Sequence, residues 1–318
     1  MTTFSQAELD RMCRPPGQRL SDALREGGPA EVKAVYRLME NLIRDITDLY
    51  ARWSAVTVGW LIDRHGYDGA ARAFPVHELW PSDGVPHLTG TEAVMARDVL
   101  RGPDSATAAD FATLADTGDE DAIVLRWQEI HAASYTAETL RRDTVTALLT
   151  LVNDTYGTEG LEDCLRYATD VIWAPRMGAD LARAPEDRLR SWAEKMSVGH
   201  NGGVTVVEEP DRWVFTLDPC GSCGRQILDG RYRDPWRFGV VRGRHPVGFL
   251  REDITVYQAH VAMAHTIVPI ERVGAPWPAM RCAGLAATPC ELAIYRDPHT
   301  AGPEYYEQVG LTPRPTTH

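Results

Sequence analysis

The sequence has no long apolar run, and this absence excludes one class of protein. No stretch approaches the 18 apolar residues that a membrane-spanning helix needs, and residues 1–8 contain neither the basic nor the apolar region of a secretory signal. We therefore expect a cytoplasmic protein without a membrane partner. In that reducing compartment, its six cysteines are expected to be ligands, catalysts or buried small residues rather than disulfide partners.

Positive charge is also scarce. The 318 residues include 33 basic and 45 acidic side chains, for a formal charge of -12, and only Lys33 and Lys195 are lysines. Binding to a nucleic-acid backbone needs clustered positive charge, so we expect no nucleic-acid partner. A phosphate-binding loop, a dinucleotide-binding glycine pattern and a Ser-His-Asp signature are absent as well. A small molecule is therefore the expected partner.

The N-terminal part, residues 1–198, has the apolar spacing of helices. Two similar units lie within it, at about 30–73 and 122–166, and each contains Asp, any residue, His or Tyr, Gly, any residue, Asp or Glu, and Gly. Apolar residues three and four apart precede each pattern, and glycine is typical of a helix end. We interpret the units as an internal duplication of helix, turn and helix. The shared polar residues, His65 and Tyr156 included, are expected to cap helices.

The C-terminal part, residues 199–318, changes to a period of two. Val204, Val206 and then Trp213, Phe215 and Leu217 alternate on either side of a turn, which predicts a hairpin. A helix is predicted from Ile254 to about Val268, ended by Pro269, and two more strands are predicted at 279–284 and 291–296. The fold class is therefore α+β, with a helical region followed by a smaller α/β domain.

Soft metal ligands concentrate in this second part. Cys220 and Cys223 form a C-x-x-C pair after the hairpin, and His260, His265, Cys282 and Cys290 follow within about seventy residues. Two thiolates at that spacing can bind one tetrahedral ion, so zinc is the expected cofactor. Alternatives are a redox dithiol, an iron or iron-sulfur centre, and buried structural cysteines.

The choice of ligands separates a structural from a catalytic ion. Four thiolates give a closed site with excess negative charge, whereas two thiolates and one histidine leave room for an activated water. We expect Cys220, Cys223 and His260 to bind the ion, with Cys290 or Cys282 as further ligands. On an α-helical wheel, His260 and His265 flank the buried stripe on opposite sides, so they are not expected to share a metal.

Other polar residues are candidates for catalysis and substrate binding. Asp218, Glu271 and His265 are candidate proton-transfer groups, although Asp218 is also a typical turn residue and Glu271 a typical solvated carboxylate at a helix end. The candidates for substrate binding are Arg225, Arg281 and Tyr257, because the arginines lie near cysteines and can bind a carboxylate with two donors. His200 lies in a glycine-rich link, where it can close on a site or cap a helix.

Residues 200–297 resemble the 4-vinyl reductase and 2-amino-thiazoline-4-carboxylate hydrolase type of domain. The resemblance lies in the order of hairpin, cysteine-containing loop, helix with a ligand-type residue, and a closing strand introduced by a cysteine, Thr288-Pro289-Cys290-Glu291-Leu292-Ala293-Ile294-Tyr295. It implies a ligand-binding domain with a Cys/His zinc site and, on the hydrolase side, ring opening of a small cyclic amino-acid derivative. Only Cys220, His260 and Cys290 carry over; Cys223 and the helical region fall outside it.

These observations favour a metal-dependent enzyme of small-molecule metabolism. We expect hydrolysis or elimination at a C=N or C=O group of an amino-acid-derived compound, in a pocket where the two regions meet. The alternatives are a binding or sensor module with a structural zinc, and a dithiol or iron-sulfur oxidoreductase. An open coordination position would favour the enzyme, whereas four protein ligands without an adjacent cavity would favour the module.

Overall fold

Two long helices form the largest part of the architecture. The computed structural model describes residues 3–72, 105–286 and 289–313. Helix α1 is Gln6–Met12, α2 is Pro16–Ala71, α3 is Ser105–Ala115 and α4 is Glu120–Ile172. The contacts Arg25 with Glu120, Thr47 with Arg141, and Asp63 with Tyr167 advance in the same direction along both partners, so α2 and α4 run parallel. No helix in the described ranges is both long and apolar enough to cross a membrane.

Both long helices break at the glycine of the shared pattern. Gly66 has φ 69° and ψ -174°, and Gly157 has φ 72° and ψ -174°, a conformation that is essentially confined to glycine. The residues before them, His65 and Tyr156, stack with ring centroids 3.7 Å apart. The two units are thus alike in local backbone and meet each other at the break. Their origin by duplication stays a prediction, and residue 73 of the first unit lies outside the described ranges.

The remaining elements are short. Helix α5 is Ala174–Leu181 and α6 is Pro185–Glu194, which continues into a π-helical segment, Lys195–Gly199. Strands β1, Val204–Glu208, and β2, Arg212–Leu217, form the expected hairpin. After α7, Cys223–Leu228, the chain forms α8, Ala259–Val261, a second π-helical segment, Ala262–Ile267, and α9, Val268–Val273. Strands β3, Ala279–Arg281, and β4, Cys290–Tyr295, precede the final helix α10, Glu304–Glu307.

The four strands form one antiparallel sheet in the order β1-β2-β4-β3. Alternate residues of β2 are buried because successive side chains of a strand point to opposite faces, whereas β4 is buried on both faces from Leu292 to Tyr295. The buried side chains include Trp213, Phe215, Leu217, Leu292 and Ile294. An antiparallel sheet beside a mostly helical region confirms the α+β fold class.

The largest apolar core contains residues from both sides of the expected boundary at 198. It joins Tyr50, Trp53 and Leu149 of the long helices to Trp213 and Leu292 of the sheet. The sheet and the long helices therefore bury apolar surface against each other. The division into two domains stays a prediction.

The helix predicted for residues 254–268 differs in its bounds and its geometry. It begins at Ala259, and it continues past Pro269 to Val273 because the backbone widens into the π-helical segment before the proline. Pro269 has no N–H to donate to the carbonyl of His265, four residues earlier. The N–H of Trp277 donates to that carbonyl instead, at 2.8 Å.

Candidate functional site

Antiparallel register brings four cysteines together at one end of the sheet. Cys290 begins β4 and pairs with Leu217, the last residue of β2, so Cys220 and Cys223 follow close by. Arg281 at the end of β3 pairs with Glu291, which places Cys282 beside the start of β4. Strand pairing thus brings together cysteines that lie up to seventy residues apart in the sequence.

Cys290 lies at the centre of this thiol cluster. Its Sγ is 4.0 Å from the Sγ of Cys223, and the N–H of Ala283 donates to it at 3.4 Å. Hydrogen bonds from the thiols of Cys220, Cys223 and Cys282 hold the pKa of Cys290 far below its ordinary value. The pKa of Cys223 is raised because its thiol hydrogen bonds to Cys220 and Cys290. Among the four side chains, Cys290 is therefore the one at which a thiolate is most favoured.

The spacing of the sulfur atoms bears on what they could bind. Tetrahedral zinc has Zn–S bonds of about 2.3 Å, which corresponds to sulfur atoms roughly 3.8 Å apart. The distance between Cys223 and Cys290 is close to that value. In the described part of the chain, however, no three of the thiols lie within 4.8 Å of one another. Binding of a single ion by three or four of them requires side-chain rotation.

The C-x-x-C loop is fixed by close backbone packing. A Cβ on Gly221 would lie 1.7 Å from the carbonyl oxygen of His200, and one on Gly203 would lie 2.1 Å from the carbonyl oxygen of Asp218. The buried Arg142 of α4 donates to the carbonyl of Gly221 at 2.9 Å. The loop is therefore held against the link that follows α6 and against a long helix, which sets the positions of Cys220 and Cys223.

The second π-helical segment brings His260 and His265 onto one wall. Residues five apart lie on the same side of such a segment, whereas in an α-helix they point about 140° apart. The two ring centroids are 6.3 Å apart, and both rings line the same cavity as the thiols. The expectation that these histidines diverge was wrong, because it assumed α-helical geometry.

Both histidine rings are anchored through Nδ1. His260 Nδ1 donates to the carbonyl of Tyr257, and His265 Nδ1 donates to the carbonyl of Trp277 at 2.6 Å. A carbonyl can only accept, so each neutral ring has its lone pair on Nε2. Burial lowers the pKa of His260 to about 4 and that of His265 to about 3, so both are neutral at pH 7. Metal-binding histidines in proteins are commonly oriented by such a contact.

The first π-helical segment contributes in the same way. Lys195 and His200 are five residues apart, joined by a hydrogen bond from His200 N to Lys195 O of 2.9 Å, and both line the cavity. Burial, followed by the nearby charge of Arg176, lowers the pKa of Lys195 to about 8. Burial also lowers the pKa of His200 well below its ordinary value. Two π-helical segments thus supply four nitrogen-bearing side chains to one space.

The cavity itself has a volume of about 50 Å³, room for an ion with a few waters or part of a small molecule. The hydroxyls of Tyr50 and Tyr257 hydrogen bond at 2.8 Å at its edge. Most of its apolar wall lies on or next to helices. The wall consists of Leu49, Trp53, Trp173, Trp192, Met196 and Met280. Thiols and histidines therefore line one small and mostly apolar space.

Eight of the residues singled out in the sequence lie at this cavity: His200, Cys220, Cys223, Tyr257, His260, His265, Cys282 and Cys290. The other four do not line it. Asp218 is exposed before a cis proline, and Glu271 is exposed and pairs with Arg166. Arg281 is half exposed and pairs with Glu304, and Arg225 lies on α7 outside the cavity.

Sequence reasoning missed Tyr50 and Lys195. Tyr50 lies in an ordinary apolar stripe of α2, more than two hundred residues from its hydrogen-bond partner, so no local pattern distinguishes it. The scarcity of lysine was a signal for Lys195, since it is one of only two in the chain.

A second group of ligand-type residues lies elsewhere. Glu159, Glu162 and His245 have ligand atoms within 4.8 Å of one another. The Nδ1 of His245 accepts from the N–H of Val247, so in the neutral ring Nε2 carries the proton that faces the two carboxylates. Hydrogen bonding accounts for this group without a metal.

Comparison with known proteins leaves the site to be interpreted from its own geometry. No family model, no curated protein and no solved structure matches this chain.

Proposed function

We propose that the chain is a metal-dependent enzyme that acts on a small molecule, with the metal bound by the thiol cluster beside the cavity. One observation carries the proposal: four thiols and two histidines, whose Nε2 atoms have no hydrogen-bond partner in the described part of the chain, border a single cavity. A purely structural zinc has four protein ligands and needs no adjacent space. An adjacent cavity therefore favours an enzyme over a module that is only held together by its metal.

The donor set suits zinc or another soft divalent ion. Cys290 as thiolate, Cys223 at 4.0 Å from it and Cys220 are the ligands of choice, with Cys282 or a histidine completing the set. Such an ion lowers the pKa of a bound water and polarises a C=N or C=O group. Hydrolysis or elimination at such a group remains the reaction that we propose.

The histidines, the tyrosines and the apolar wall of the cavity have separate roles in this proposal. The neutral rings of His260 and His265 accept hydrogen bonds through Nε2, so they can orient a water or serve as further ligands. One of the Tyr50 and Tyr257 hydroxyls donates to the other, and the remaining hydroxyl proton can bind a polar atom of the substrate. The apolar wall excludes bulk water and strengthens these interactions.

An iron-sulfur oxidoreductase is the second candidate. It is supported by the finding that no three thiols of the described residues lie within 4.8 Å of one another, because a cluster of several atoms spreads its four cysteine ligands farther apart than a single ion does. The two candidates differ in colour, since iron-sulfur clusters absorb visible light and zinc does not.

The test is elemental analysis and a visible spectrum of protein purified without an affinity tag. We expect about one zinc per chain in the wild type, loss of the metal in Cys290→Ser, and weaker retention in His265→Asn. Cys164→Ser is the matched control, because Cys164 is buried in α4 and does not line the cavity. Colourless wild-type protein without metal would refute both metal proposals, and equal loss in Cys164→Ser would refute the assignment to the cavity.

A further inference from the structure

A second, larger pocket adjoins the thiol cavity. Its volume is about 340 Å³, within the range of small-molecule sites. Four side chains, Leu49, Trp173, Trp192 and Lys195, line both spaces and form the partition between them. The larger space opens to solvent beside the exposed Arg176 and Asp45, so it is the outer pocket of the same site.

Two cations of the outer pocket have no direct ion-pair partner among the described residues. Arg176 and Lys195 form no ion pair and no side-chain hydrogen bond within residues 3–72, 105–286 and 289–313. Lys195 Nζ lies 4.4 Å from the centre of the Trp192 ring, which orients the amine without neutralising it. Two like charges beside a pocket are unfavourable unless an anion binds between or near them.

The acids of the same pocket are already engaged or lie at the rim. Asp180 accepts from Trp277 Nε1 at 2.7 Å and pairs with Arg183 at 3.3 Å. Asp45 is exposed at the edge of α2. Arg176, Arg183 and Lys195 against Asp45 and Asp180 leave the pocket with one excess positive charge. A singly charged anion balances it.

The walls add a preference for an apolar or aromatic body. Trp173, Trp192 and Trp277 line the outer pocket, with Leu42, Ile46 and Leu49 beside them. Aromatic rings bind flat apolar groups, and an arginine binds an oxyanion with two parallel donors. Charge and apolar surface thus lie within one pocket.

We propose that the outer pocket binds a singly charged organic oxyanion through Arg176 and Lys195, with its apolar body against the tryptophans. This deepens the proposed function, since it assigns a substrate class to the same site: a small organic monoanion whose uncharged end reaches the thiol cavity through the partition. The binding step itself does not depend on the metal.

The test is isothermal titration of the full chain with benzoate and with benzamide, its uncharged counterpart. We expect benzoate to bind at least tenfold more tightly than benzamide. Arg176→Gln and Lys195→Met should each weaken benzoate binding by tenfold or more, because each removes a charged donor. Asp45→Asn should tighten it severalfold, because it removes an opposing charge.

Arg44→Gln is the matched control for net charge. Arg44 is exposed on α2 next to Asp45, pairs with Glu40 and does not line the outer pocket. Unchanged benzoate affinity in Arg44→Gln supports the proposal. A loss of affinity equal to that of Arg176→Gln would instead show that benzoate is held only by long-range attraction to positive charge, and would overturn the proposed site. Equal binding of benzoate and benzamide would overturn it, as would benzoate binding that survives Arg176→Gln. Arg176 is exposed, so its variant tests the site even where Lys195→Met fails to fold.

The metal-enzyme proposal and the anion-site proposal can be refuted independently of each other. If wild-type protein contains no metal but binds benzoate through Arg176 and Lys195, the anion site stands and the metal enzyme does not. If metal is present at the thiols but benzoate binds no better than benzamide, the metal site stands and the proposed substrate class does not.

Discussion

Replacing Gly221 by alanine should displace the C-x-x-C loop. The added Cβ would lie 1.7 Å from the carbonyl oxygen of His200, 2.6 Å from its carbonyl carbon and 2.8 Å from the nitrogen of Gly202, whereas real Cβ contacts are essentially never under 3.0 Å. All three atoms belong to backbone, so no rotamer change relieves the contact. One of two backbone segments has to move by more than an ångström.

The expected cost follows from this geometry. Overpacking a core typically costs about 1–3 kcal/mol, and a contact between two backbones lies at or above the upper limit. We expect Gly221→Ala to lower the free energy of unfolding by about 3 kcal/mol or more, and to reduce metal content, because the loop carries Cys220 and Cys223. Denaturant unfolding followed by circular dichroism, together with elemental analysis, measures both effects.

Gly59→Ala is the matched control. Gly59 lies inside α2, and a Cβ there would meet nothing within 4 Å, so alanine should raise stability by up to about 1 kcal/mol through helix propensity. A Gly221→Ala variant with the denaturation midpoint and metal content of the wild type would refute the close packing on which the loop's position is argued.

Three further predictions test the same structure by other routes. Burial lowers the pKa of His265 to about 3, so only the unfolded chain takes up a proton at this residue as pH falls from 7 to 5. The wild type should therefore lose about 2 kcal/mol of unfolding free energy through His265 over that interval, and His265→Gln should lose correspondingly less. An equal loss in both proteins would contradict the burial of His265. Tyr50→Phe leaves the Tyr257 hydroxyl buried without its partner and should lower the free energy of unfolding by about 1–3 kcal/mol. In a double-mutant cycle followed by denaturation, changing both Tyr50 and Tyr257 to phenylalanine should cost less than the sum of the two single changes. Gly66→Ala and Gly157→Ala should each lower stability by a similar amount, about 1–3 kcal/mol, because both glycines have the same positive-φ conformation. An added Cβ would meet nothing within 4 Å at either position, so the cost comes from the backbone conformation and not from a steric contact. A neutral result at either position would contradict that conformation.

The elements that depend on local pattern were predicted well. The hairpin of β1 and β2 follows from alternation around one turn, and the helix breaks follow from glycine after an apolar stripe. Both signals act between residues close in sequence, so they can be read from short segments. The helix containing His260 and His265 was predicted with wrong bounds and the wrong period, because a π-helical segment has no pattern of its own in the sequence.

The candidate site residues also differ in how well they were predicted, according to the kind of signal on which each was chosen. Cys220 and Cys223 have a spacing that signals joint binding, and the structure places them with Cys282 and Cys290 around one cavity. Asp218, Glu271, Arg225 and Arg281 were chosen because they lie near those ligands in sequence. Short sequence distance does not determine which way a side chain points, and none of the four lines the cavity.

The sequence by itself determined the kind of element along most of the chain and the supply of soft ligands in its last third. Tertiary structure alone decided which of those ligands meet, because strand register joins Cys290 to the C-x-x-C loop and two π-helical segments turn Lys195, His200, His260 and His265 onto one space. It also brought Tyr50 and Arg176 from the helical region to the site. Such contacts depend on packing between segments far apart in sequence, which no local pattern of residues encodes.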